Sequence, residues 1–188
     1  MSDRVTGFEM MLVAGARELR DCRQVFVGFR WPVIASRIAR RLYQPNMLCA
    51  YEGGFIEDTL TETIPTSSND LILAQQATMC GDSLDTIFML LRAGWIEVSM
   101  LDAFMVDRYG NINSTCLGEF AHPRVRLAGS GGATELAAFS RRLVLLSSAT
   151  TPDHYPERVD YITSAGYLTG GDSRRQAGFK EGTGPTTL

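Results

Sequence analysis

Residues 94–115 read Gly-Trp-Ile-Glu-Val-Ser-Met-Leu-Asp-Ala-Phe-Met-Val-Asp-Arg-Tyr-Gly-Asn-Ile-Asn-Ser-Thr, and residues 122–135 read His-Pro-Arg-Val-Arg-Leu-Ala-Gly-Ser-Gly-Gly-Ala-Thr-Glu. The first stretch is a buried strand that ends in polar turns, because Asp107, Gly110, Asn111, Asn113 and Ser114 crowd behind an apolar run. The second is a short strand, Val125 to Leu127, delivered into the turn Gly129-Ser130-Gly131-Gly132, with an Ala-rich helix from about Ala133. A strand, a glycine turn and a helix leave free backbone amides aimed at whatever occupies the turn. In open α/β sheets ligands gather at that end of the strands.

The flanking segments supply the rest of such a sheet. Phe8, Met11, Leu12, Ala16 and Leu19 form a helical stripe. Gln24–Phe29 is rich in β-branched and aromatic residues and reads as a short buried strand. Pro32 opens a helix running to about Tyr43. Ile34, Ile38 and Leu42 share its expected core face, and Arg37, Arg40 and Arg41 read as a solvated face. Asn46–Tyr51 is the next strand, so strand, helix and strand make a right-handed βαβ unit. Phe55–Asn69 reads as a polar loop and Asp70–Ala77 as either strand or helix start. Asp82 or Ser83 caps a helix through about Ala93, with Leu84, Ile87, Phe88 and Leu91 inward, and Gly94 ends it. Leu143–Ser147 fits a strand covered on both faces. Val159–Ile162 reads as one more strand, and residues 170–188 as a flexible tail or partner surface.

Composition narrows the class. The chain has 188 residues, 45% apolar and 21% charged, with a net charge of −3. That suits one globular domain and gives no basic run to suggest nucleic acid. No apolar stretch reaches the ~20 residues of a membrane helix, and Met1-Ser2-Asp3-Arg4 lacks a secretory pattern. Cys22, Cys49, Cys80 and Cys116 are scattered, which predicts no metal site and buried free thiols in a reducing cytoplasm.

Tyr51-Glu52-Gly53-Gly54 places a carboxylate at a strand end, where two glycines leave it open space. Alone this is a weak signal, and an exposed turn glutamate is the favoured reading of it. Asn111 and Asn113 can bind substrate or only stabilise their turn, and Arg108 can meet a carboxylate or form a surface ion pair. Glu119 and Glu135 are reserve acids. Neither His122 nor His154 has a visible nucleophile partner, so no hydrolase triad is supported.

Four segments in order carry a resemblance: Tyr51 to Gly54, Asp107 to Asn113 (Asp-Arg-Tyr-Gly-Asn-Ile-Asn), Pro123 to Ala133 (Pro-Arg-Val-Arg-Leu-Ala-Gly-Ser-Gly-Gly-Ala) and Val159 to Leu168. Together they resemble the β subunit of family I coenzyme A transferases, the glutaconate CoA-transferase β subunits in particular. The resemblance implies an α/β fold, an open, mostly parallel sheet flanked by helices, across a single domain over residues 1–188. It implies Glu52 as nucleophile, and Gly129, Ser130, Gly131 and Gly132 as oxyanion or CoA-binding amides. Gly53, Gly54, Asn111, Asn113 and Arg108 are implied as weaker substrate contacts. Coenzyme A would be a substrate, with no permanently bound cofactor and no metal. The partner would be an α subunit, and the substrates an acyl-CoA and a carboxylic acid. Alternatives on the same fold are a CoA-thioester or ring-cleaving β-ketoacyl-CoA hydrolase subunit and a non-catalytic subunit. Three departures stand out. Gly28-Phe29-Arg30-Trp31-Pro32 is bulkier than the family's glycine-rich turn. Phe55-Ile56-Glu57-Asp58 replaces Ile-Gly and puts two acids near the site. The chain also stops soon after Gly184-Pro185, where the family's subunit continues, which implies missing final strands.

Overall fold

The computed structural model describes residues 4–188; Met1, Ser2 and Asp3, on which the absence of a secretory pattern was partly read, lie outside the described residues. The elements follow in the order α1 (Gly7–Glu18), β1 (Gln24–Val27), α2 (Trp31–Leu42), β2 (Leu48–Tyr51), β3 (Phe55–Glu57), β4 (Ala77–Cys80), a π-helix (Leu84–Leu91), β5 (Val98–Asp102), β6 (Cys116–Leu117), β7 (Val125–Arg126), α3 (Ala133–Phe139), β8 (Arg142–Leu146), α4 (Ser173–Gln176) and β9 (Pro185–Thr187). Seven strands form one sheet in the order β4-β3-β2-β1-β5-β8-β9. The β1–β2, β1–β5, β5–β8 and β8–β9 pairs are parallel, and β3 and β4 add an antiparallel edge. The expected open, mostly parallel α/β sheet is therefore present.

Strand alternation divides the core into two layers. Val25, Val27, Cys49, Tyr51, Val98, Met100, Val144 and Leu146 pack against Ala16 and Leu19 of α1 and Val33, Ala35 and Ala39 of α2. Phe26, Ala50, Leu101, Leu143 and Leu145 face the other way, against Ile87 and Leu91 of the π-helix and Leu136 and Ala137 of α3. β8 supplies both layers, as its unbroken apolar run implies. β1 sits where the strand order reverses, with β2 on one side and β5 on the other, so the carboxyl ends of these strands frame the ligand-binding edge.

Several expectations are corrected. The arginine face of α2 is solvated only at Arg41: Arg37 and Arg40 are buried, and Leu42 is exposed. Their guanidiniums meet Glu57, which is 0% exposed, at 3.1 and 3.9 Å. Tyr51 donates its hydroxyl to the same carboxylate at 2.7 Å, and Arg40 also donates to the Asp58 carbonyl. Glu57 is thus a framework acid turned into the α2 layer, and Asp58 is exposed. The expected loop from Phe55 begins as β3, a strand too short to show alternation. Asp70–Ala77 resolves into a 3₁₀ turn, Leu71–Gln75, followed by β4. The helix after Asp82 is wound in π fashion, and its Leu84 and Phe88 are exposed while Ile87 and Leu91 are buried. Cys80 is exposed, unlike the other three cysteines.

Val159–Ile162 is not a strand. Its Tyr161 ring turns outward and stacks on Phe120 with centroids 5.0 Å apart. Residues 170–188 are not a flexible tail: they carry α4 and then β9, which pairs with β8. A buried arginine organises this segment. Arg174 donates to the carbonyls of Ala137, Ala165 and Gly166 at 2.7–2.8 Å, so a polar composition conceals an ordered element.

Candidate active site

Glu52 leaves the carboxyl end of β2 beside β1, since Val27 pairs with Tyr51 in the last parallel rung. Gly54 turns the chain back at φ +89, with its amide on the Tyr51 carbonyl at 3.1 Å. A Cβ there would collide with the Gly81 carbonyl, so this turn requires glycine. Gly53 donates to the Ser68 carbonyl at 3.3 Å. The Glu52 carboxylate points into the α3 layer, and its Oε1 accepts the Gly132 amide at 3.1 Å. A Cβ on Gly131, at φ +49, would stand 3.0 Å from that oxygen, and one on Gly132 would stand 2.6 Å from Ile87 Cδ1. The two glycines exist where a side chain would displace the carboxylate or the helix beside it. The Ser83 hydroxyl donates to the Glu52 carbonyl at 2.6 Å, tying the start of the π-helix to the same residue. Such windings recur at functional sites.

The sequence motifs join into one framework. Gly129 donates to the Ser114 carbonyl, and its own carbonyl accepts the Ser114 hydroxyl, both at 2.7 Å. Ser114 in turn donates its amide to Thr163 Oγ1 at 2.9 Å. Asn111 donates to Asp107 and the Leu168 carbonyl, and accepts the Gly166 and Leu168 amides, all within 3.0 Å. Asn113 is engaged by the Cys116 carbonyl and by the Thr115 and Cys116 amides.

Of the residues singled out from sequence, the structure brings together Glu52, Gly131 and Gly132. Gly129 has its amide and carbonyl committed to Ser114, and the Ser130 carbonyl accepts Ala133 N–H at 2.9 Å, closing the turn. Asn111 and Asn113 are corrected from substrate contacts to framework, because their side chains are buried and spent on the chain itself. Arg108 is exposed, paired with Glu157 at 2.8 Å and with the Tyr109 hydroxyl at 2.7 Å. Sequence reading missed Ser83 as a support of Glu52; it appeared only as a helix-cap candidate, and nothing local links it to a residue so far back. Among the described residues no cluster of His, Cys, Asp and Glu has the form of a metal site.

A family profile, Coenzyme A transferase, matches residues 8–181. The chain belongs to the coenzyme A transferase family. It is 38% identical over 180 residues to the β subunit of the 3-oxoadipate CoA-transferase of Pseudomonas knackmussii, covering 96% of this chain and 68% of the relative. It is 28% identical over 184 residues to the β subunit of the glutaconate CoA-transferase of Acidaminococcus fermentans, with coverages of 96% and 68%. The crystal structure of glutaconate CoA-transferase from that organism superposes with a TM-score of 0.88 at 26% identity, over 98% of this chain and 72% of that one. The β-subunit resemblance of the four motifs and the transferase fold are thereby borne out, and the activity of this β-type CoA-transferase chain is transfer of coenzyme A. No helix among the described residues is long and apolar enough to cross a membrane.

Proposed function

We propose that Glu52 is the nucleophile of this CoA transfer and that the Gly132 amide serves it. The Glu52 carboxylate attacks the thioester carbonyl of an acyl-CoA, the C–S bond breaks, and CoA leaves as its thiolate. The products are an acyl-glutamyl anhydride and free thiolate. The thiolate then attacks the glutamyl carbonyl, releases the donor acid as carboxylate, and leaves CoA joined to Glu52 as a thioester. An acceptor carboxylate runs the same steps backwards and restores Glu52. A carboxylate nucleophile splits one hard exchange into easier ones.

The observation that carries this reading is the contact of Gly132 N–H with Glu52 Oε1 at 3.1 Å. It holds one oxygen and leaves Oε2 to attack. When the thiolate adds to the glutamyl carbon, the negative charge develops on the held oxygen, so the same amide serves as an oxyanion donor. Such donors are worth about 10²–10³ in rate. Two relatives are β subunits of CoA-transferases, which supports an α subunit as partner and a site completed at their junction.

The test is mass spectrometry of the chain co-expressed with its α subunit, incubated with acyl-CoAs and trapped with hydroxylamine or borohydride. Modification of the Glu52 peptide, absent in Glu52→Ala, is the expected result. Free acid released by an intact complex without an adduct would replace the transferase mechanism with a hydrolase. An intact complex with neither adduct nor turnover would make this a non-catalytic subunit.

A further inference from the structure

The peptide group that follows the Glu52 side chain is held at both ends. Tyr51 to Gly54 is a β-turn, closed by the Gly54 amide on the Tyr51 carbonyl at 3.1 Å, with Glu52 and Gly53 at its centre. The peptide between two such central residues can face either way when the second is glycine. Here its N–H, on Gly53, donates to the Ser68 carbonyl at 3.3 Å. Its carbonyl, on Glu52, accepts the Ser83 hydroxyl at 2.6 Å. The bond from Ser83 is the shorter of the two. Gly81 N–H also donates to the Gly54 carbonyl at 2.9 Å, which lays residues 81–83 along the turn.

Ser83 opens the π-helix, and a serine in that place ordinarily turns its hydroxyl back on the helix's own amides. This one makes no such bond. Asp82 does the capping instead: its Oδ1 accepts the Leu84 and Asp85 amides at 2.7 and 3.2 Å, and its own amide donates to Asp85 Oδ2 at 3.1 Å. The Ser83 hydroxyl is left for the backbone of Glu52. Four residues on, Ile87 lies against Gly132, where an added Cβ would stand 2.6 Å from its Cδ1. Gly132 is the residue whose amide holds Glu52 Oε1. The π-helix therefore touches both partners of that contact, the acid through Ser83 and the amide through Ile87.

We propose that Ser83 is a positioning residue for CoA transfer, fixing the Glu52–Gly53 peptide in the orientation that presents the carboxylate to Gly132 and to the incoming thioester carbonyl. This rests on Glu52 being the reaction centre. The experiment uses the complex with the α subunit and the variants Ser83→Ala and Ser83→Thr. Ser83 stands at φ −62, ψ −27, where alanine is a good helix residue, so Ser83→Ala keeps the helix, which a melting curve checks. Single-turnover formation of the Glu52 adduct is followed by hydroxylamine trapping, with acetyl-CoA and with succinyl-CoA. The expected result for Ser83→Ala is a full amplitude and an unchanged half-saturating acyl-CoA concentration. The rate constant falls 5- to 10-fold, about the scale of one hydrogen bond. Ser83→Thr, which keeps the hydroxyl, restores most of it. An unchanged rate constant overturns the proposal, and so does a loss of amplitude alone, which is what a merely structural residue would give. If the unaltered complex forms no adduct, the reading of Glu52 has failed. Hydrogen exchange then decides Ser83 separately: faster exchange of the Gly53 and Gly54 amides in Ser83→Ala upholds its hold on the turn, and unchanged exchange overturns it.

Discussion

The amide of Gly132 holds the carboxylate of Glu52 at 3.1 Å across 80 residues of chain. One partner comes from the turn after β2 and the other from the start of α3, on the same side of the sheet. The contact depends on the missing side chains at 131 and 132, so the glycines are as much a part of the site as the acid.

Gly132→Ala should lower kcat by about 10²-fold, the cost of misplacing a reacting group by an ångström or so. The added Cβ would stand 2.6 Å from Ile87 Cδ1, the tip of a buried side chain. Ile87→Val removes that atom. The double variant should therefore recover at least tenfold of the loss in steady-state assays. No recovery would mean that the damage acts through the turn and not through Ile87.

Glu57→Ala should destabilise the fold by about 3–5 kcal/mol in urea denaturation. It leaves the buried guanidiniums of Arg37 and Arg40 without their carboxylate, and breaking a buried pair strands a charge. Glu57→Gln should cost less, since the amide oxygen can still accept from Arg37. Near-equal stability of all three proteins would show that water reaches the cluster.

Asn111→Ala should cost roughly 3 kcal/mol, because buried groups on two loops lose their partner together. A substrate-binding asparagine would instead raise KM with stability intact. Thermal melting alongside KM for the acceptor acid separates the two.

Much of this fold was legible because its strands are apolar runs bounded by glycine, proline and polar turns. Val98–Asp102 and Arg142–Leu146 are examples. What escaped was polar and buried. Arg37 and Arg40 look solvated in sequence because a charge is normally buried only with a partner, Glu57 reads there as an acid near the site, and their pairing spans β3 and α2. Arg174 hid an ordered C-terminal segment in the same way, by satisfying carbonyls far from it in sequence. The placing of Glu52 at a strand end was legible through its flanking glycines and the motif order. Ser83 and Ile87 were not, because their roles arise only when the π-helix packs against the turn.

Stability should fall as pH rises from about 9 toward 12. Burial is the main cause that pushes the thiols of Cys22 and Cys49 up to about 12 from an ordinary 9.0. A raised folded pKa contributes stability that is complete below the unfolded value and is lost as pH climbs through the folded one. Above pH 9 the unfolded chain releases these protons while the folded chain keeps them, costing up to ~1.4 kcal/mol per pH unit for each thiol. Tyr51, whose phenol burial also raises above 10.0, adds to the slope at higher pH. Urea midpoints at pH 7, 8.5 and 10 should show a plateau and then a decline, and Cys22→Ala with Cys49→Ala should flatten it. The same burial predicts thiol counts: Cys80, exposed, should react with a disulfide reagent at pH 8 in the native protein, and the other three only after unfolding. Rapid native labelling of Cys22 or Cys49 would show that the α1–α2 layer opens readily, and a flat midpoint through pH 10 would mean that the folded thiols ionise near the ordinary value as the unfolded ones do.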